Sequence, residues 1–360
     1  MALPEKLNVL ELFCGIGGMH YALQDFEVKC AVDINTVTNA VYQHNFPSQL
    51  LAQREIQSLT LKEIENLGVN TLLMSPPCQP FTRVGLKKDL EDQRTDAFIS
   101  ILQLLDKLSS PISYVLVENV KGFEDSLTRD QFISILSKKG YIYQEFLLTP
   151  LQFSIPNSRL RYYCIAKHQS KGGHFVFPLV EQVQCKVPDE ALHYLLDGHK
   201  YIDIDIPENS QTCDTNSDVQ LTAEQITSAI DNDERISLLG NFLESSTQCA
   251  SDYLLGEKGK KHYQGLDIRT ANSRNSCCFT KRYGHYFVGS GSFISTGNKL
   301  EDDTLELRHF TPEEIARLLC FPQKFRFPDS TTRKQRYRSL GNSLNVYIVA
   351  NLIRLMTLSL

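Results

Sequence analysis

The stretch "NVLELFCGIGGMHYALQDF" (residues 8–26) runs from a short apolar segment, NVLELF, through a glycine-rich turn, CGIGG, into MHYALQDF, whose apolar residues fall at helical spacing. A strand, a glycine turn and a helix in this order open many nucleotide-binding α/β folds. The glycines let the main chain approach a ligand, and the helix N–H groups face an anionic group. A tight turn that binds nothing fits the same residues, so the rest of the chain has to decide.

Outward from this unit, VKCAVDI (28–34) reads as a second strand and TVTNAVYQHNF as a second helix. TLLMS (71–75) and YVLVENV (114–120) are β-rich and flank DAFISILQLLDKL, which has helical spacing. YIYQEFLLT (141–149) and LRYYCIAK (160–167) follow with no helix between them, as an antiparallel pair would. Strands alternating with helices predict an α/β fold, a doubly wound and mostly parallel sheet with helices on both faces. After residue 168 the alternation stops, and DIPENSQTCDTNSDVQ (205–220) has the composition of a flexible loop. Helical logic returns at TPEEIARLL (311–319), with Thr311 as N-cap, Pro312 in the first turn and Glu314 closing a capping box. The apolar helix in NSLNVYIVANLIRLM would pack back on the first sheet. Residues 1–168 and 306–360 are therefore expected to form one domain, with 169–305 inserted as a smaller second one.

Composition narrows the function classes. The chain has 360 residues, 42% hydrophobic and 22% charged, with a net charge of −5, so it has no general basic coat, although a local basic face fits. The N-terminus lacks signal-peptide character and no apolar run reaches membrane-spanning length, so no membrane role is expected. Ten cysteines without C-x-x-C spacing read as reduced intracellular thiols rather than as a metal site.

Several residues close predicted strands, where open α/β sheets bind their ligands. Asp33 ends the second strand and suits two ribose hydroxyls, or else caps the following helix. Cys78, in MSPPCQPF (74–81), sits in a turn held by three prolines. It is either a packed thiol or a nucleophile, and an unassisted thiol is only slightly ionised at neutral pH. Glu118 in LVENV is an acid that burial would keep protonated, ready to donate to a ring nitrogen, or a strand-end carboxylate in solvent. Arg159 and Arg161 in NSRLRYY lie two apart, on one face of a strand, where guanidinium groups suit a base edge or a phosphate. TRVGLKKDLEDQR (82–94) reads as a loop able to close over a substrate, or as an ordinary solvated connection.

These pieces, in this order, resemble the cytosine-C5 methyltransferases that use S-adenosylmethionine. FCGIGG, PPCQPF, ENV, IPNSRLRYY and QRYRSLGNSLNV (335–346) match the family's cofactor, cysteine, glutamate, arginine and C-terminal motifs over nearly the whole chain. The resemblance is closest to the tRNA-methylating branch, through MSPPCQPFTR, ENVKGFE, CFTKRYG (278–284) and GNSLNV; Asn157 replaces the glutamine usual in the wider family. It implies a Rossmann-like S-adenosylmethionine-dependent fold with a smaller target-recognition domain. It further implies methylation of cytosine 38 in the anticodon loop of aspartate tRNA, with S-adenosylhomocysteine as product. By the same resemblance Cys78 is the nucleophile, Glu118 the acid, and Arg159 with Arg161 orient the base. Phe13, Gly15, Ile16, Gly17, Gly18, Asp33, Ile34, Ile56, Gln57 and Ser343 would hold the cofactor. KGKKHYQG (258–265), RTANSR and KRYG offer basic and aromatic residues for the RNA backbone. A monomer in the cytoplasm, and also the nucleus, is expected, with weak DNA binding. Two other readings stay open, a DNA cytosine-C5 methyltransferase and a non-catalytic protein that binds RNA or S-adenosylmethionine.

Overall fold

The structure, a computed structural model, describes residues 6–77, 93–202, 230, 233–244, 251–256, 259, 261–299 and 305–358. Its elements in chain order begin with β1 (Leu7–Leu12), α1 (Gly18–Ala22), β2 (Phe26–Asp33), α2 (Thr36–Asn45), β3 (Leu51–Gln53), α3 (Leu61–Leu67) and β4 (Thr71–Met74). There follow α4 (Gln93–Lys107), β5 (Tyr114–Val120), α5 (Leu127–Lys138), β6 (Tyr141–Leu148), β7 (Arg161–His168) and α6 (Gln169–Gly172). The chain continues through β8 (Asp267–Arg269), β9 (Ser292–Lys299), β10 (Leu305–His309), α7 (Pro312–Leu318), α8 (Arg333–Gly341) and α9 (Val346–Thr357).

Seven strands make one sheet in the order β3-β2-β1-β4-β5-β7-β6. The pairs β1–β2, β2–β3, β1–β4 and β4–β5 are parallel, and β7 runs antiparallel to both of its neighbours. Strand order reverses between β1 and β4, which opens a crevice beyond their carboxyl ends. Successive strand residues point to opposite faces, and the sheet buries both. Val9, Leu73, Leu116 and Ile165 join one apolar cluster, while Leu10, Leu72, Val115, Val117 and Cys164 join another. The first cluster includes Val349, Leu352 and Met356 of α9, so the C-terminal helix covers one face. The second includes Phe98 and Ile101 of α4 and Phe132 of α5, on the other face.

Local chemistry fixes the helix starts. Asn35 caps α2 through bonds from the N–H groups of Val37 and Thr38. Thr60 with Glu63, Thr311 with Glu314 and Thr332 with Gln335 form capping boxes. Beside the large sheet, β8, β9 and β10 form a small one in the order β10-β9-β8. Among the described residues no helix is long and apolar enough to cross a membrane.

Candidate active site

The turn after β1 is shaped by its backbone. Phe13 adopts φ 57° and Gly17 φ 84°, both left-handed, and backbone strain of the kind Phe13 carries recurs at ligand-binding turns. A Cβ on Gly17 would come within 2.6 Å of the Phe46 ring, so conformation and space both demand glycine there. Asp33, at the end of β2, receives Gly15 N–H on Oδ2 at 3.0 Å and Asn35 N–H on Oδ1 at 2.8 Å. Asp33 is therefore not the helix cap, a role that Asn35 fills. Each carboxylate oxygen keeps a lone pair for a hydroxyl donor.

Beneath the turn lies a cavity of about 50 Å³ lined by Glu11, Phe13, Ile16, Gly18, Ser75, Ser343 and neighbouring residues. Glu11 is fully buried. Its Oε2 accepts from Tyr42 Oη at 3.0 Å, and Tyr42 Oη lies 2.7 Å from His20 Nδ1. With the tyrosine donating to the carboxyl group, His20 carries its proton on Nδ1. Glu11 Oε1 has no partner among the described residues. Burial, opposed by the Tyr42 bond, pushes the Glu11 carboxyl up to about 8, and burial brings His20 down to about 4. A buried carboxyl group with an open oxygen lining a cavity suits a cation.

The small cavity opens onto a cleft of about 470 Å³. Phe13, Gly15, Asp33, Ile34, Ile56 and Gln57 line one part of it, and Glu118, Arg159, Arg161 and Ser343 line another. Glu118 is 8% exposed, and its Oε1 lies 3.7 Å from Arg161 Nε. Burial raises the Glu118 carboxyl above its ordinary range, while Arg161 and then Arg159 pull it back. Arg159 is more deeply set, at 3% exposure. Its Nη1 donates to Phe279 O and Cys278 Sγ, each at 3.3 Å, and its Nη2 donates to the carbonyls of Gly341 and Ser343. It ties the sheet rim to the segment at Cys278 and Phe279 and to the turn before α9. Arg161, whose Nη1 donates to Leu160 O at 2.7 Å, is the arginine set beside Glu118.

The antiparallel course of β7 makes this meeting possible. Arg161 begins β7 opposite Val120, so the start of that strand shares a rim with the end of β5. Ten of the residues expected from sequence thus line this one cleft, from Phe13 round to Ser343. Ile16 and Gly18 line the smaller cavity, and Gly17 shapes the turn. Cys78 and most of 82–94 lie outside the described residues, as does the whole of 205–220. Ser75, Pro76 and Pro77, which lead into Cys78, line the cleft, and Asn119 Nδ2 reaches Pro76 O at 3.5 Å. Sequence reasoning assigned no role to Glu11, Ser75, Asn119 or Cys278. A carboxylate inside the apolar run of β1 was the available signal for Glu11.

A crevice at the switch point of a doubly wound sheet, with the carboxylate of Asp33 at one end and Glu118 beside Arg161 at the other, is where α/β enzymes bind their ligands. Residues 7–357 match the family model described as C-5 cytosine-specific DNA methylase, and the chain belongs to that family of cytosine-C5 methyltransferases. It is 42% identical to the human tRNA (cytosine(38)-C(5))-methyltransferase, over 98% of this chain and 99% of that protein. It is 38% identical to a Dictyostelium discoideum DNA (cytosine-5)-methyltransferase, over 98% of this chain and 94% of that one. The crystal structure of a Spodoptera frugiperda DNMT2 mutant superposes with a TM-score of 0.77 at 35% identity, covering 97% of this chain and 99% of that one. The large mostly parallel sheet and the small second sheet are those of a methyltransferase fold.

Proposed function

We propose that this enzyme transfers a methyl group from S-adenosylmethionine to C5 of cytosine 38 in the anticodon loop of a tRNA, aspartate tRNA first, through a bond from Cys78 to C6. One observation carries the chemistry. Asp33, Glu118, Arg161 and the Ser75–Pro77 approach to Cys78 all border a single cleft. The tRNA substrate rests on the likeness to the human enzyme of that name.

The residues present fit the cofactor. Asp33 is placed for ribose hydroxyls, Phe13, Ile34 and Ile56 offer apolar surface for a purine, and the open oxygen of Glu11 suits the ammonium group of the methionine end. S-adenosylmethionine, when bound, supplies an electrophilic methyl group on a sulfonium. Cytosine C5 is too weak a nucleophile to take it until a group adds at C6. Cys78 thiolate would form that bond, while Glu118, whose carboxyl burial raises, donates to N3 and lets the ring accept electrons. Arg161 offsets the charge that develops beside Glu118. Loss of the C5 proton to a base then expels Cys78. The target base must stand out of its stack, which costs less in an anticodon loop than in a duplex.

Incubation with methyl-labelled S-adenosylmethionine and either total tRNA or unmethylated duplex DNA, with Cys78→Ala beside the native protein, tests this reading. Label in one tRNA at a loop cytosine, dependent on Cys78, is the expected result. The Dictyostelium relative's name favours DNA as the second reading, and label in DNA alone would select it. Label in neither would leave a binding protein.

A further inference from the structure

Cys278 takes no part in the reaction proposed above, yet its sulfur touches both arginines of the site. Arg159 Nη1 lies 3.3 Å and Arg161 Nη2 3.6 Å from Sγ. Arg159 is buried and Arg161 half-buried, two like charges facing one sulfur, and a thiol offsets neither whereas a thiolate offsets both. Burial by itself would raise the Cys278 thiol. Arg159, then Arg161, and their hydrogen bonds outweigh that and bring it below its ordinary value.

The neighbouring cysteine makes the comparison internal. Burial, then Asp267, push Cys277 up to about 11, with Arg269 opposing, so two adjacent thiols are shifted in opposite directions. The sulfur is not what docks this segment. Ser158 N donates to Ser276 O at 2.8 Å, and Asn157 Nδ2 donates to Cys277 O at 3.1 Å.

We propose that Cys278 is a positioning residue for methyl transfer: its thiolate accepts from Arg159 and Arg161 together and so fixes Arg161 beside Glu118. This rests on the reading of Glu118 as the acid. The groups facing the sulfur and its partners are Arg159, Arg161 and Tyr163 from the β7 side, Glu118 from β5, and Asp267 with Arg269 near Cys277. Arg159, the Cys278 thiolate and Arg161 then alternate in charge, and Arg161 faces the Glu118 carboxyl. Without the sulfur's charge, two guanidinium groups act on Glu118 alone, which ionises at lower pH and loses the proton that N3 requires.

The test uses the full-length protein with Cys278→Ser and Cys278→Ala. Ultraviolet thiolate absorbance at neutral pH, native minus Cys278→Ser, reads the ionised sulfur without catalysis. Both variants should lower kcat by about 10- to 100-fold, the loss expected for hydrogen bonds to a charged group. Their affinity for S-adenosylmethionine should stay within about 2-fold, because the cofactor contacts are untouched, and the alkaline limb of kcat should move to lower pH. No thiolate difference would overturn the inference and leave the proposed function standing. A thiolate difference with native kcat and an unmoved limb would overturn the positioning role. Glu118→Gln separates the two ideas, since full activity there would remove the acid assignment while the thiolate difference is read independently.

Discussion

Gly341 and Lys281 meet backbone to backbone: a Cβ at Gly341 would lie 2.2 Å from Lys281 N and 2.3 Å from the carbonyl carbon of Thr280. The end of α8 and the segment after Cys278 are thus in contact at the one residue type that leaves room. Gly341→Ala must push them apart, and Arg159 loses its line to Gly341 O. The expected cost is about 1–3 kcal/mol of stability, as for other overpacked sites, with weaker S-adenosylmethionine binding. Denaturant titration checks it; an unchanged midpoint would mean that the two segments slide freely.

Glu118 and Arg161 give a second prediction. Glu118→Gln should cut methyl transfer by roughly 100-fold or more while cofactor affinity holds, because the lost group acts on the base. In the native protein the rate should fall on the alkaline side as Glu118 ionises, its carboxyl being raised by burial. Arg161→Lys keeps the charge but not the fork, and should recover only part of the activity. Single-turnover rates across pH decide both points.

Glu11 predicts proton traffic. At pH 7 its carboxyl, raised to about 8, is mostly protonated, and an ammonium group placed beside it would drive the proton off. Binding of S-adenosylmethionine should release up to about one proton, seen by calorimetry in two buffers of different ionisation heat, and Glu11→Gln should abolish the release. The sign for stability follows from the same shift. The folded value lies above the unfolded one, so the unliganded protein should lose stability as pH rises from about 4.5 towards about 8, a loss Glu11→Gln should not share. Equal pH slopes for the two proteins would contradict it.

The Arg308–Glu314 pair predicts a purely structural effect. Arg308 Nη1 and Nη2 each donate to one carboxylate oxygen of Glu314 at 2.8 Å, and Glu314 also accepts from the N–H groups of Thr311 and Glu244. Glu314→Gln should cost about 3–5 kcal/mol, since it leaves a buried guanidinium without its charge partner. The double change Arg308→Met with Glu314→Gln should be milder than the sum of its singles. Additive losses in denaturant would show that the pair is not coupled.

The sheet and one half of the site could be read from the chain because both follow local rules. Asp33 and Glu118 stand at the ends of apolar runs, and period-two burial of Val9 against Leu10 or Leu72 against Leu73 needs only neighbours to explain it. The capping box at Thr311 was equally legible, being written within four residues. What could not be read depends on contacts distant in sequence. Cys278 reaches Arg159 across 119 positions and Gly341 meets Lys281 across two segments, so neither has a local pattern. The small sheet hid for a different reason, since β8 has three residues, too few to show alternation.

The last helix has a consequence for how the protein is made. Val349, Leu352 and Met356 of α9 cover the face of the sheet that begins with Val9, and Asn45 Nδ2 donates to Arg326 O across 281 positions. The nascent chain therefore carries an incompletely covered apolar sheet face on the ribosome until α9 emerges. Chains arrested before Ser343 would lack one of the carbonyls that hold Arg159 and the helix that shields the sheet. Such fragments should be sticky and inert, and the chain's vulnerable interval is the time between the synthesis of β1 and that of α9.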